Sequence, residues 1–371
     1  MRVALVHDYL TQRGGAERVV LAMTRAFPEA PLYTSLYDEG GTFPEFAGLD
    51  IRTSPINALA PLRRHHRLAL PLLARSFSRM GVTADVAICS SSGWAHGSHI
   101  NGRKVVYCHT PARWLYQPQR YLHGRQRLLR ATSALLRPVL LRWDKSAAAS
   151  ADRYLANSSV VAERIRAVYG LEAEILPPPP AVTPVGSLEE VEGVTEGFFL
   201  CVSRLLPYKN VDAIVEAFAK IPNETLVVAG TGPEAPTLRN LAGRNVTFPG
   251  RVTDPELRWL YANCSAVVAA SHEDFGLTPV EAASFGRPVA ALRWGGFLDT
   301  LDEGRTGVFF DKPAPDDIAV AIGEIRRTAW DESAIRSHAD VFSKARFIQR
   351  LREIVYEEAT MTRSAHSGAA S

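Results

Sequence analysis

The chain has 371 residues, 46% of them hydrophobic and 22% charged, with a formal net charge of +3. That length implies two or three domains and a core large enough to need no staples. Four scattered cysteines (Cys89, Cys108, Cys201, Cys264) with no C-x-x-C spacing exclude a disulfide scaffold or zinc ribbon and suggest a reducing compartment.

The N-terminal run turns polar at His7-Asp8, too soon for a signal-peptide core. No segment approaches about 18 uninterrupted apolar residues, so no membrane span is expected. The small net charge hides an asymmetry. Residues 1–180 carry +10 and residues 181–371 carry −7. Between Ile51 and Trp143 there are 15 basic residues and one acid, Asp85. Such a stretch suits nucleic acid, an anionic membrane surface or a phosphorylated substrate.

In the first half, strands are expected at Arg2–His7, Val86–Ser90, Val105–His109, Tyr154–Asn157 and Glu174–Leu176. In the second half they are expected at Phe198–Ser203, Thr225–Ala229, Val246–Phe248, Ala266–Ala270, Val289–Leu292 and Val308–Phe310. These runs are apolar on both faces, as in parallel sheets covered by helices. Helical stretches are expected at Val211–Lys220, Glu234–Gly243, Pro255–Asn263 and Pro279–Phe285. The alternation makes the fold class α/β and doubly wound. Pro177–Pro180 fits no helix or central strand and marks the domain boundary. The expected domains are residues 1–180 and 181–345, with a ligand cleft between them. A last helix is expected from about Ser343 to Thr360, and residues 346–371 should carry it back onto the first domain and end in a disordered tail from Arg363.

Several loops leave the C-terminal ends of these strands, where ligands bind in open α/β sheets. The first, Asp8 to Glu17, carries Gly14-Gly15 before a helix N-terminus. It lacks the Lys-Ser/Thr of a P-loop. The second, Ser203-Arg-Leu-Leu-Pro-Tyr-Lys-Asn210, places Arg204 and Lys209 around a proline turn where they could share one anion. The third runs from Ser271 to Glu281, with Glu273 eight residues before Glu281 and Gly276 beside a helix start at Pro279. A helix N-terminus favours phosphate, and carboxylates accept from sugar hydroxyls. The fourth is Trp294-Gly-Gly-Phe-Leu-Asp299. Gly230-Thr-Gly-Pro-Glu-Ala235 fits G-x-G-x-x-A, but no acid ends the next strand to hold a ribose, so a nicotinamide enzyme is not expected. His65-His66 and His96-x-x-His99 lack further clustered ligands, and no D-x-D pair offers a magnesium site.

Ser203-Arg-Leu-Leu-Pro-Tyr-Lys-Asn, Ala229-Gly-Thr-Gly-Pro-Glu and Glu273-Asp-Phe-Gly-Leu-Thr-Pro-Val-Glu281, taken with Gly14-Gly15-Ala-Glu and Tyr107-Cys-His109-Thr-Pro111, resemble the retaining glycosyltransferases of family 4. The order and spacing agree along nearly the whole chain. The resemblance implies the GT-B fold, two Rossmann-like domains with parallel sheets facing across a cleft. It implies that Arg204 and Lys209 hold a nucleotide diphosphate, and that Glu281 binds the ribose. Glu273 would contact the transferred sugar, and backbone amides of Phe275, Gly276 and Leu277 the sugar and phosphate. Gly14 and Gly15 would close over the donor, His109 would lie near the sugar and acceptor, and the base would sit near Gly250–Val252, including Arg251.

The implied reaction moves a sugar, mannose favoured, from GDP-mannose or a UDP-sugar to a glycan or lipid-linked acceptor, with no cofactor and no metal. Bacterial polysaccharide mannosyltransferases are the members it most resembles. The alternative is a non-catalytic nucleotide-sugar-binding protein. The expected location is cytoplasmic and peripheral on the inner face of the cell membrane. The segments Pro61–Arg79, including Arg63, Arg64 and Arg67, and Arg125–Arg142 read as surface helices for anionic lipid, or as helices packing leucines inward with arginines solvated. No nucleic-acid motif is present, and the second half is acidic, so nucleic acid is not an expected partner.

Overall fold

The structure is a computed structural model. It describes residues 1–65, 69–116 and 127–367, apart from the side chains at 71, 127–135 and 362–367. The chain divides into two compact units. Unit 1 is Met1–Pro178 with Lys344–Ser371, and unit 2 is Pro179–Ser343.

Unit 1 holds a seven-stranded parallel sheet in the order β3-β2-β1-β4-β5-β6-β7. The strands are β1 Val3–His7, β2 Leu32–Thr34, β3 Ile51–Thr53, β4 Gly81–Ser91, β5 His99–Cys108, β6 Arg153–Ala156 and β7 Glu174–Ile175. β2 and β3 are three residues each, too short for a periodicity to register in sequence. β4 and β5 begin earlier than their apolar runs, because polar stretches extend the pairing from Gly81↔His99. β5 ends at Cys108, so His109 opens the loop that follows instead of closing the strand.

The sheet's two faces carry separate cores. One holds Leu73, Ala74 and Phe77 from the helix Leu70–Ser78. The other holds Val19, Val20 and Met23 from the helix α1, Gly15–Ala26, with Phe347, Leu351, Ile354 and Val355 from the last helix. Those last four are 0–2% exposed. Burying each side chain contributes about 1.5–3 kcal/mol, so the last helix is integral to unit 1. Polar contacts pin it as well. Arg103 donates through Nε and Nη2 to Glu358 Oε2 at 2.9 and 2.6 Å, and Arg153 Nη1 to Glu357 at 2.6 Å. This helix runs Lys344–Ser367, so Arg363–Ser367 continue it where a disordered tail was expected. The rest of that tail, residues 368–371, lies outside the described residues.

Unit 2 holds a six-stranded parallel sheet in the order β10-β9-β8-β11-β12-β13. Its strands are β8 Phe199–Val202, β9 Leu226–Ala229, β10 Val246–Gly250, β11 Ala266–Ala269, β12 Val289–Leu292 and β13 Gly307–Phe310. β8, β9, β11 and β12 are buried at nearly every residue, which explains their unbroken apolar sequences. The helix Asp254–Asn263 opens on a capping box between Thr253 and Glu256. The helix expected from Pro279 begins two residues earlier, at Leu277. A proline in the first turn is tolerated because its missing N–H has no intrahelical partner there.

Both sheets reverse strand order once, between β1 and β4 and between β8 and β11. In doubly wound sheets ligands bind outside the strand ends at such switch points. Apart from Arg251, which follows the edge strand β10, each unit's candidate residues follow one of those strands or its neighbour.

Candidate functional site

The unit 2 cluster is built on the loops after β8 and β11. Arg204, two residues beyond β8, is exposed, and its Nη2 donates to Tyr208 Oη at 3.3 Å. The chain then makes a short 3-10 turn, Pro207–Lys209. Asn210 follows with φ +51°, in the left-handed region that asparagine tolerates better than most residues. Its Nδ2 donates to the Ala270 carbonyl at 2.8 Å, which ties the β8 loop to the β11 loop.

That tie sets Lys209 against Glu273. Lys209 Nζ donates to Glu273 Oε1, with the lysine side chain 9% exposed and the glutamate 28%. Ser271 Oγ donates to the same oxygen at 3.4 Å. Two residues that the sequence assigned to different parts of one ligand are thus bonded to each other.

Gly276 caps the helix Leu277–Ser284 with φ +80° and supplies no side-chain cap to its amides. A Cβ on Gly276 would collide with the Phe297 ring. The Trp294–Phe297 loop lies directly on the β11 loop, with Gly296 N–H donating to the Glu273 carbonyl at 3.0 Å. A Cβ on Gly296 would run into the Phe275 backbone. The fourth loop's glycines therefore serve close packing that holds Glu273 and Phe275 in place. Gly230 and Gly232 play a similar part, since Cβ atoms there would meet the carbonyls of Ser203 and Leu205. The G-x-G-x-x-A pattern thus reflects packing against the Arg204 loop.

Glu281 is buried in that helix. Its Oε2 accepts from Tyr261 Oη at 2.8 Å and its Oε1 from the Ala181 amide at 3.1 Å. Phe275 packs edge-on against Phe342, and Leu277 joins the same cluster. Arg251, just past β10, is exposed.

Unit 1 carries a second cluster on the loops after β1, β4 and β5. Gly14 precedes α1, and a Cβ there would sit 2.5 Å from Glu17 Oε2. Gly14 thus makes room for a buried carboxylate, while Gly15 starts the helix. Glu17 is 1% exposed and accepts from Gln12 Nε2 at 3.1 Å. Its Oε1 lies 3.9 Å from His7 Nε2. His7 Nδ1 reaches Ser90 at the carbonyl (3.2 Å) and at Oγ (3.0 Å). Ser90 Oγ in turn meets His109 Nε2 at 2.8 Å. Burial first, and then the neighbouring His7, pushes the His109 pKa down to about 3. Burial also lowers that of His7, but hydrogen bonding and charge from Glu17, with Asp8 adding, leave it raised.

Asp8 accepts from the amides of Ser92, Trp94 and Ala95 at 2.7, 3.3 and 2.7 Å. It shapes the β4 loop, and burial raises its pKa. All four cysteines are buried, and among the described residues none is disulfide-bonded. Burial pushes the thiols of Cys89, Cys201 and Cys264 up to about 12, which removes them as nucleophiles.

Sequence reasoning missed Ser90 and Tyr261, and it named Glu17 only as the end of the first loop. Nothing local flags Ser90 or Tyr261, because each partner is 19 or 20 residues distant. The His7-Asp8 pair at a strand end was the visible signal in unit 1.

The basic segments of unit 1 fall partly within the described residues. Leu73, Ala74 and Phe77 face the core, while Leu72 and Arg75 are exposed. Leu136 and Val139 are exposed on the helix Arg127–Ala149. His66, Arg67 and Arg125 lie outside the described residues. Among the described residues no helix is long and apolar enough to cross a membrane.

Two parallel Rossmann-like sheets with loop clusters at their switch points match the GT-B architecture. Residues 13–179 match the family model Glycosyltransferase Family 4, and residues 189–333 match Glycosyl transferases group 1. The chain belongs to these glycosyltransferases, with a family 4 region followed by a group 1 region.

Among curated proteins it is similar to the GDP-mannose-dependent alpha-(1-6)-phosphatidylinositol monomannoside mannosyltransferase of Mycobacterium tuberculosis. They are 32% identical over 34% of this chain and 37% of that protein. It is also similar to D-inositol 3-phosphate glycosyltransferase 2 of Catenulispora acidiphila, 28% identical over 56% of this chain and 59% of that one. The matches thus span between about a third and three fifths of these relatives' lengths. Among solved structures, Anabaena HepE in complex with UDP-glucose superposes with a TM-score of 0.71 at 19% identity, over 96% of this chain and all of HepE.

Proposed function

We propose that this protein is a retaining glycosyltransferase that moves mannose from GDP-mannose to a glycan or lipid-linked acceptor in polysaccharide or glycolipid assembly. The observation that carries the reading is the Lys209–Glu273 pair at the β8/β11 switch point, with Arg204 on the same loop and the Gly276 helix N-terminus adjoining Glu273. A cation, a guanidinium and a helix N-terminus together suit a departing diphosphate. The mannosyltransferase relative supports GDP-mannose.

In the reaction the bond from the anomeric carbon to the diphosphate oxygen breaks. Lys209 and Arg204 take up the charge on the leaving group, so no metal is required of the site. The acceptor hydroxyl bonds to the anomeric carbon on the same face and passes its proton to a phosphate oxygen. When the diphosphate engages Lys209, Glu273 is released to accept from sugar hydroxyls. Glu281, held by Tyr261 and the Ala181 amide, receives the ribose. Phe275, Gly276 and Leu277 offer backbone amides, and Arg251 lies beside the base. Gly14, Gly15 and His109 act on the sugar side of the donor.

The test is turnover of GDP-mannose by Glu273→Ala. Transfer should be lost with donor binding retained. A trapped mannosyl–Glu273 adduct would overturn the same-face mechanism. A second reading keeps the reaction but takes a UDP-sugar, as the UDP-glucose complex of HepE makes reasonable. A nucleotide-sugar screen by thermal stabilisation separates the two. It also addresses the non-catalytic alternative, which predicts binding without turnover. The basic, partly apolar surface of unit 1 supports a cytoplasmic protein working peripherally at the inner face of the cell membrane.

A further inference from the structure

Four side chains of unit 1, Glu17, His7, Ser90 and His109, lie in succession, and no role above explains the first three. Three are nearly inaccessible, with Glu17 at 1%, His7 at 2% and Ser90 at 1%. Ser90 Oγ and the two ring nitrogens beside it are bonded to one another, which makes the direction of each of those hydrogen bonds decidable, whereas among the described residues His7 Nε2 and Glu17 Oε2 have no hydrogen-bond partner.

Direction follows from the Ser90 carbonyl. A carbonyl oxygen only accepts, and it lies 3.2 Å from His7 Nδ1, so His7 Nδ1 carries a proton. The same N–H faces Ser90 Oγ at 3.0 Å, so the hydroxyl accepts on that side. The hydroxyl proton must then point elsewhere, and His109 Nε2 stands 2.8 Å away. His109 Nε2 is therefore an acceptor without a proton. A neutral imidazole carries one proton, which places it on Nδ1. Among the described residues His109 Nδ1 has no hydrogen-bond partner. The backbone on either side is fixed, with the His109 amide donating to the Ser91 carbonyl at 2.9 Å and Asn157 Nδ2 donating to the His109 carbonyl at 3.1 Å.

We propose that His7 and Ser90, with the Glu17 carboxylate 3.9 Å from the far nitrogen of His7, form a one-way hydrogen-bond chain that fixes His109 as the Nδ1–H tautomer, so that His109 donates to an oxygen of the bound substrate and does not serve as a base. Glu17 and His7 are positioning residues acting through Ser90. Glu17 faces the far nitrogen of His7 and holds the ring with Nδ1 toward Ser90. Burial pushes His109 toward the neutral form this requires. Gly14 belongs to the device too, because a side chain there would displace Glu17. The proposal rests on the glycosyltransferase reading only for the identity of the substrate.

The test is two-bond proton–nitrogen correlation spectroscopy on the full-length protein labelled with ¹⁵N-histidine, with His109 assigned by its loss in His109→Asn. The expected spectrum shows a pyrrole-like Nδ1 and a pyridine-like Nε2 for His109 at neutral pH. A protonated Nε2 in the unliganded protein would overturn the proposal.

Ser90→Ala should shift His109 toward the Nε2–H form and lower kcat by about tenfold, the loss of one hydrogen bond worth about 1.4 kcal/mol, with little change in KM. His7→Asn keeps an N–H near the Nδ1 position and should preserve the tautomer, whereas His7→Leu should not. Equal spectra for those two would count against the chain.

Titration with GDP and then with GDP-mannose identifies the oxygen. An Nδ1–H resonance that moves with GDP means a phosphate oxygen, and one that moves only with GDP-mannose means a sugar hydroxyl. Binding of both with no movement would overturn the donor role. The expected tautomer in a protein that binds no nucleotide sugar would instead sink the functional reading and leave the chain intact.

Discussion

Lys209 Nζ donates to Glu273 Oε1, so two residues of the candidate donor site hold each other's charge within unit 2. The pair joins the loops after β8 and β11 at the sheet's switch point. It stores a cation in a mostly buried place without leaving it unpaired. A diphosphate would offer Lys209 a more highly charged partner, and Glu273 would then be released toward sugar hydroxyls.

Breaking the pair should therefore cost stability as well as activity. Lys209→Met strands a carboxylate with 28% exposure. We expect a loss of about 1–2 kcal/mol, below the cost of stranding a fully buried charge. The double variant Lys209→Met/Glu273→Gln should recover part of that loss. Urea denaturation of the four proteins in the cycle checks it, and strict additivity would contradict the coupling.

Gly296→Ala should act at a distance from any ligand chemistry. Its Cβ would enter the Phe275 backbone, which cannot move as a flexible side chain does. We expect destabilisation of about 1–3 kcal/mol from overpacking. Turnover should also fall, because the Gly296 amide holds the Glu273 carbonyl. Denaturation and kinetics on one preparation test both.

Truncation after Ser343 should abolish the fold of unit 1. The last helix contributes Phe347, Leu351, Ile354 and Val355 to one face of the seven-stranded sheet. Losing four buried side chains at about 1.5–3 kcal/mol each removes about 6–12 kcal/mol, comparable to the whole stability of an ordinary domain, about 5–15 kcal/mol. Soluble, cooperative unfolding of unit 1 in the truncated protein would contradict this.

The pH dependence of stability has a definite sign at His109. Its pKa falls from 6.5 to about 3 on folding, with burial the main cause. Below pH 6.5 the unfolded chain therefore binds a proton that the folded chain refuses, and stability declines as pH drops toward 3. His7, whose folded pKa is raised, works the other way and stabilises below pH 6.5. In melting temperatures measured across this range, His109→Asn should flatten the acid-side loss and His7→Asn should steepen it.

Much of this was legible in the sequence, and the reasons are physical. β8, β9, β11 and β12 are buried on both faces, so their apolar runs stood out. The stretch Pro255–Asn263 was readable as a helix because a proline suits a first turn. β2 and β3 have three residues each and left no pattern. Loops carrying Arg204, Lys209, Glu273 and Glu281 were visible because glycine, proline and charge cluster at strand ends. What no pattern could give was pairing. Lys209 with Glu273, Glu281 with Tyr261 and Ser90 with His109 are joined by topology over 64, 20 and 19 residues. The same holds for Gly295 and Gly296, which looked like ligand-loop glycines and pack against the Glu273–Phe275 backbone.

The most direct test of the central claim is calorimetric titration of GDP-mannose and UDP-glucose into the wild type, Arg204→Ala and Lys209→Met. We predict saturable binding of one nucleotide sugar to the wild type, weakened by at least about tenfold in each variant, as removal of a charge-assisted contact to phosphate requires. Failure of every nucleotide sugar to bind, or equal affinity in all three proteins, would contradict the assignment of the β8 loop to the donor's diphosphate.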